Sequence, residues 1–296
     1  MEIEYLKNFH LNSFKENHQS NIESQIYYNN IIPNFFNKIQ FNNFDISLNF
    51  KSISPIFIVG LPRSGSTLVE AIITSGVNNI KSFGESAIFN MAIINQLEKK
   101  IFQKNFNYDE YKLNIDYVLF QNFVTSKYNQ LCNFKKKNFN FLDKSLENFF
   151  NIELILKIFP KAKFLHCKRD LKDSVLAIYQ SMLSNFSWTH NISDILNYIE
   201  NYIFVINYFK KYYPDNIMDV NLEELTNDEE NVAKKIYNFC NFSWDKKSLE
   251  FYKREDLDIR TLSNFQLRTK ISKYDKKKYE NYNFLLENYK SKFSWL

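Results

Sequence analysis

The chain has 296 residues, 45% hydrophobic and 24% charged, which is enough to bury a full core and excludes wholesale disorder or a fibrous architecture. Its net charge of +5 is dispersed, with basic runs only at Lys135–Lys137 and Lys276–Lys278, so a nucleic-acid partner is not expected. Cys132, Cys167 and Cys240 have no paired spacing, the N-terminus lacks a leader pattern, and no apolar run reaches about 18 residues; together these predict a soluble, cytoplasmic protein with no disulfide framework, metal site or membrane anchor.

Residues 1–50 carry apolar side chains at helical spacing (Ile3, Leu6, Phe9; Ile22, Ile26) and read as a helical N-terminal extension to one domain over 51–296. After Pro55, the run Ile56-Phe57-Ile58-Val59 reads as a buried parallel strand ending at Gly60. The spacing of Thr67 to Ile73 predicts a helix that Gly76 stops, and residues 87–134 read as helical with polar breaks near Asn105–Asn107. Further strands are predicted at Phe139–Leu142, Lys163–Cys167 and Asn216–Leu222, separated by helices over Asn151–Phe159, Asp173–Leu183 and 192–212. The remainder is expected to be helical apart from an irregular stretch near 254–276. Strands alternating with helices imply a three-layer α/β fold, with a central parallel sheet between helices.

Phe, Tyr, Asn, Ile and Lys dominate the composition, which makes the rare residues informative. All four glycines, Gly60, Gly65, Gly76 and Gly84, fall in one 25-residue window, and there are only five arginines, Arg63, Arg169, Arg254, Arg260 and Arg268. Gly60-Leu61-Pro62-Arg63-Ser64-Gly65-Ser66-Thr67 joins a predicted strand to a predicted helix and matches G-x-x-x-x-G-K-[ST] except that Ser66 replaces the lysine. Such a P-loop-like turn offers successive N–H groups, a helix N-terminus and the hydroxyls of Ser64, Ser66 and Thr67 to an anion. Without the lysine that bridges β- and γ-phosphates, the ligand expected is a 5'-phosphate outside a triphosphate. Arg169 follows its strand as the loop follows Val59, and open α/β sheets bind ligands along that edge.

The segment Pro55–Glu70 resembles the 5'-phosphosulfate loop of sulfotransferases that use 3'-phosphoadenylyl sulfate (PAPS), and is most similar to the tyrosylprotein sulfotransferase-like branch, whose bacterial members are often fused to tetratricopeptide repeats. Later blocks look like that family in the same order: Gly84-Glu85, Asp143-Lys144 with Asn148-Phe149, Phe159 to Asp170, Trp244-Asp245, and Thr261-Leu262-Ser263 with Gln266 and Arg268. The resemblance implies that Arg63, Ser64, Gly65, Ser66 and Thr67 hold the 5'-phosphosulfate and that Arg169 holds the ribose 3'-phosphate. The family's partner serine is Ala177 here, so Ser174 is the nearest substitute, and Lys278 beside Tyr279 adds a further expected contact. Leu222 stands where relatives often place an aromatic residue beside adenine.

By the same resemblance Glu85 is the candidate base, although Ser86 stands where a second glutamate is frequent. Lys144 would bridge the sulfuryl and leaving oxygens, with Arg63 and Ser263 assisting. His166 reads as a strand residue, and His190 as a second choice of base. The expected reaction is in-line sulfuryl transfer from PAPS to an acceptor hydroxyl on a tyrosine peptide, sugar or small molecule, leaving the bisphosphate PAP and needing no metal. Two alternatives stay open: a P-loop kinase-like phosphotransferase, and an inactive nucleotide- or partner-binding module.

Overall fold

The computed structural model describes residues 2–16, 18–42, 53–78, 80–103, 105–109, 111–131, 140–254 and 268–296. In chain order the helices are α1 (Glu2–Glu16), α2 (His18–Ile26), α3 (Ile32–Phe35), α4 (Ser66–Gly76), α5 (Ile88–Ile94), α6 (Tyr117–Leu131), α7 (Ile152–Ile158), α8 (Leu171–Gln180), α9 (Ile192–Tyr212), α10 (Leu222–Asn227) and α11 (Glu229–Phe239). The strands are β1 (Gln40–Asn42), β2 (Ile56–Gly60), β3 (Lys81–Ser82), β4 (Asn114–Asp116), β5 (Phe141–Asp143), β6 (Lys163–Lys168) and β7 (Ile217–Asn221).

Five strands form one parallel sheet in the order β3-β5-β2-β6-β7, and β1 pairs with β4 apart from it. Every residue of β2 is buried, which is why its sequence is continuously apolar: a parallel strand covered on both faces has no polar side. Alternation divides it, with Ile56 and Ile58 facing α4 and α11 through Ile72, Ile236 and Tyr237. Phe57 and Val59 face the larger layer built from α5 to α9. Leu6, Tyr27, Ile31 and Phe35 of the N-terminal helices are buried in that same layer.

From β2 the chain runs outward to β3, returns through β5, then crosses to β6 and β7, so connections leave β2 and β6 in opposite directions. The register Ile56↔Lys163 through Gly60↔Cys167 brings the C-terminal ends of these neighbours level. A crevice therefore opens between the loop after Gly60 and the turn at Arg169, at the topological switch point.

Local pattern misjudged two regions. Residues 87–134 are not one helical stretch: α5 ends at Ile94, and the chain re-forms as β4 before α6. There the Gln96 amide bonds both the N–H (2.8 Å) and the C=O (3.3 Å) of Asp116, imitating a strand partner. The two-residue β3 has no hydrophobic signature and exists because β5 pairs with it, a ladder that Phe83 N–H extends to Leu142 O at 2.8 Å. Gly76 closes α4 as expected, and the tertiary reason for glycine is that a Cβ would strike the Tyr237 hydroxyl.

Candidate active site

The loop geometry follows from its glycines. Gly60 has φ +141°, and a Cβ there would strike the Cys167 carbonyl oxygen, so β6 can pair this closely only with glycine. Arg63 (φ 66°) and Gly65 (φ 88°) occupy the left-handed region, which turns the chain sharply enough for α4 to begin at Ser66. Leu68 and Val69 N–H bond to Gly65 O at 3.0 and 3.1 Å, which starts the first turn of the helix at this glycine. The Ser64 hydroxyl oxygen is buried with no hydrogen-bond partner. Burial lowers the Arg63 pKa; Tyr279 opposes the shift and the neighbouring Arg169 charge adds to it.

Arg169 follows β6, which ends at Lys168, and precedes Asp170, whose carboxylate caps α8 by accepting Asp173 N–H at 3.0 Å. Its side chain is 6% exposed, so the ion pair with Asp173 (3.5 Å) is not surface decoration. Nη1 donates to Arg63 O at 3.1 Å, fixing the two arginines relative to one another, while Nε is buried without a partner. A buried guanidinium anchored to the Arg63 backbone, with the Arg63 charge nearby and a hydroxyl and an N–H unsatisfied, is electrostatically suited to an anion.

Glu85 and Lys144 meet because Lys144 N–H bonds to Gly84 O at 2.8 Å, tying the loop after β5 to the loop after β3. Lys144 is 1% exposed and its Nζ donates to Glu85 Oε1 at 2.8 Å, with Glu85 half exposed toward the crevice. A third member, Glu70 on α4, was not anticipated: its Oε2 lies 3.7 Å from Lys144 Nζ and its Oε1 accepts the Ser82 hydroxyl at 2.5 Å. Burial raises the Glu70 pKa against the opposing pull of Lys144. Ser86, in the place of a second glutamate, donates to the buried Asp143 at 2.5 Å. Next to it burial pushes Glu147 up to about 7, and this carboxylate accepts from Tyr28 (2.6 Å) and Asn90 (2.8 Å).

These elements surround a cavity of about 550 Å³. Arg63, Gly65, Ser66 and Thr67 form its loop wall, Glu85 and Arg169 stand on either side, and Lys278 contributes from the C-terminal segment. Lys144 and Ser64 lie beneath that surface, each 1% exposed. Ser174 is not brought in: its hydroxyl donates to Asp170 O at 2.8 Å within its own helix, which satisfies it away from the cavity. Ala177 is buried in the core and Leu222 lines the cavity beside Gly65. Ser263 and Gln266 lie outside the described residues.

His166 is a strand residue whose Nδ1 pairs with Asp219 at 2.7 Å and whose Nε2 contacts the Tyr202 hydroxyl. His190 points instead at His10, Nδ1 to Nδ1 3.4 Å, under α1. The sequence reading passed over Lys270, Lys273 and Tyr274, which join Lys278 along the same wall; their signal was only an irregular lysine-rich stretch. Among the described residues no three His, Cys, Asp or Glu side chains converge on a possible metal position, and no helix is long and apolar enough to cross a membrane.

Residues 55–246 match the model of the sulfotransferase family, and the chain belongs to that family. It is 27% identical over 238 residues to an uncharacterized protein of Aquifex aeolicus, an alignment covering 77% of this chain; the chain spans only about 30% of that relative's length. Among solved structures, the sulfotransferase domain of the Synechococcus PCC 7002 olefin synthase is similar at 17% identity and TM-score 0.49, covering 79% of this chain and 88% of the other. A mouse sulfotransferase complexed with PAP is similar at 13% identity and TM-score 0.46, covering 81% of this chain and 86% of the other.

Proposed function

We propose that this protein transfers a sulfuryl group from PAPS to an acceptor hydroxyl, with residues 51–296 as the transferase unit, 1–50 as a helical extension, and the cytoplasm as its setting. The observation that carries the reading is the pair of buried, unsatisfied donors, Ser64 Oγ and Arg169 Nε, at the ends of adjacent strands flanking the switch point. Two such atoms, one in the cavity wall and one just beneath it, are what a bound phosphate-type anion would complete. The loop from Arg63 to Thr67 fits the 5'-phosphosulfate, and Arg169 with Lys278 and Lys273 fits the 3'-phosphate.

The donor, when bound, supplies an electrophilic sulfur with a good phosphate leaving group. Glu85, half exposed at the cavity wall, takes the proton of the acceptor hydroxyl as it attacks in line. Protonation removes the charge that draws Lys144 toward Glu85, so the ammonium turns toward the oxygen that gains charge on the leaving side. Glu70 lets this happen inside the protein, because it stays within 3.7 Å as a second counter-ion while Lys144 changes partner. Arg63 stabilises the same oxygens from the loop.

Calorimetric titration of the full chain with adenosine 3',5'-bisphosphate, ADP and ATP–Mg²⁺ tests the reading. The bisphosphate alone is expected to bind tightly, and Arg169→Ala to weaken it. Preference for ATP–Mg²⁺ would establish a kinase-like enzyme instead, and binding without transfer to any hydroxyl in an acceptor panel would leave the inactive module.

A further inference from the structure

The guanidinium of Arg169 is gripped by a segment far away in sequence. Its Nη2 donates to the Tyr274 phenol at 2.6 Å, while its contact with Asp173, in the first turn of α8, is a long 3.5 Å. The Tyr274 hydroxyl in turn donates to that same Asp173 carboxylate. The rings of Tyr274 and Tyr279 lie 5.1 and 5.3 Å from the guanidinium carbon, flanking the charge with π faces. Arg169 stands just ahead of the Asp170 cap of α8 and Asp173 lies in its first turn, near enough for the two charges to pair directly. Here the phenol sits between them, accepting from one and donating to the other, and Nε–H is left without a partner.

We propose that Tyr274 is a positioning residue that wedges Arg169 away from Asp173 and so keeps the guanidinium available to the donor's 3'-phosphate. The inference rests on the sulfotransferase reading and deepens it, since it assigns selectivity for the 3'-phosphorylated nucleotide to the 269–279 segment. Without the phenol, Asp173 would draw the guanidinium into a closed pair, spending its charge and turning its donors from the crevice. The 5'-phosphate cradle, built from residues 60–67, touches Arg169 at the Arg63 carbonyl (3.1 Å), but the turn itself is set by the backbone of Gly60, Arg63 and Gly65. Loss of the wedge therefore weakens recognition of the 3' substituent and leaves the rest of the nucleotide unaffected.

The test is calorimetric titration of the wild-type chain, Tyr274→Phe and the double variant Tyr274→Phe/Asp173→Asn with adenosine 3',5'-bisphosphate and with adenosine 5'-monophosphate. Tyr274→Phe retains the ring and removes only the hydroxyl. It should weaken bisphosphate binding about tenfold, the scale of one hydrogen bond to a charged group, while monophosphate binding stays within about twofold. Adding Asp173→Asn should recover most of the loss, because the competing carboxylate is gone. Parallel weakening of both nucleotides, or no weakening of the bisphosphate, would overturn the inference while leaving the proposed function standing. Failure of the wild-type chain to bind either nucleotide would refute the sulfotransferase reading itself, and this inference with it.

Discussion

Replacing Lys144 with methionine removes the ammonium that two carboxylates share while keeping the length of the side chain. At 3.7 Å and an effective dielectric of about 20, the Lys144–Glu70 attraction is about 4.5 kcal/mol. The Glu85 contact adds little to stability because that carboxylate is half exposed and can return to water. Glu70 cannot, being 5% exposed, so Lys144→Met should destabilise the fold by about 3–5 kcal/mol, the usual cost of orphaning a buried charge. Burial already raises the Glu70 pKa, and loss of Lys144 removes the attraction that opposes the rise. A carboxylate with a raised folded-state pKa loses stability as pH climbs from its unfolded value, about 4.3, toward its folded one. The cost of the substitution should therefore be small near pH 4, where Glu70 is protonated with or without the lysine, and complete at pH 8. Urea unfolding of wild type, Lys144→Met and Lys144→Met/Glu70→Gln across that range measures it. The double variant should recover at least half of the loss at pH 8. An equal loss at every pH, with no recovery from Glu70→Gln, would show that the Glu70–Lys144 contact does not hold this part of the site together.

Two further outcomes are expected. Glu85→Gln should lower transfer from radiolabelled PAPS by about 10²–10⁴-fold for whichever hydroxyl compound proves to be an acceptor, while calorimetry shows bisphosphate affinity unchanged; equal losses of binding and turnover would remove Glu85 from the role of base. His10 donates from Nε2 to Tyr179 O at 2.9 Å, so only while it is neutral can its Nδ1 accept His190 Nδ1–H, and the His190 Nε2 beyond it is buried without a partner. Burial lowers both pKa values, with His10 adding to the shift at His190, so the stability that this pair contributes is present above about pH 6.5 and is lost as pH falls through the lowered folded values. Melting temperatures of wild type and His10→Phe between pH 8 and 5 should converge at the acidic end, and parallel curves would rule out the pair as the source of acid sensitivity.

Much of the architecture is local and was therefore legible in the chain. The β2 run, the helix after Gly65 and the span of α9 depend on periodicity and on dihedral preferences within a few residues, and the same is true of the turn between Gly60 and Ser66. The scarcity of glycine and arginine pointed to Gly60, Gly65, Arg63 and Arg169 because few other residues satisfy a left-handed turn or a forked anion contact. Glu85 and Lys144 were singled out only by resemblance, since neither carries a local signal, and the structure adds that they pair with each other.

What tertiary structure decided are contacts between segments that no periodic pattern links. Gly60 is required because β6 passes against it, and β3 is a strand only because β5 lies beside it. Ser174 looked available until its own helix supplied a carbonyl, and Glu70 looked like an ordinary helix residue until folding buried it against Lys144. Tyr274 and Arg169 are 105 positions apart, and their spacing carries no information about their meeting. Local sequence sets dihedral angles and which faces are apolar; the partners of a buried charge depend on how those faces pack, and that is settled only when the whole chain has folded.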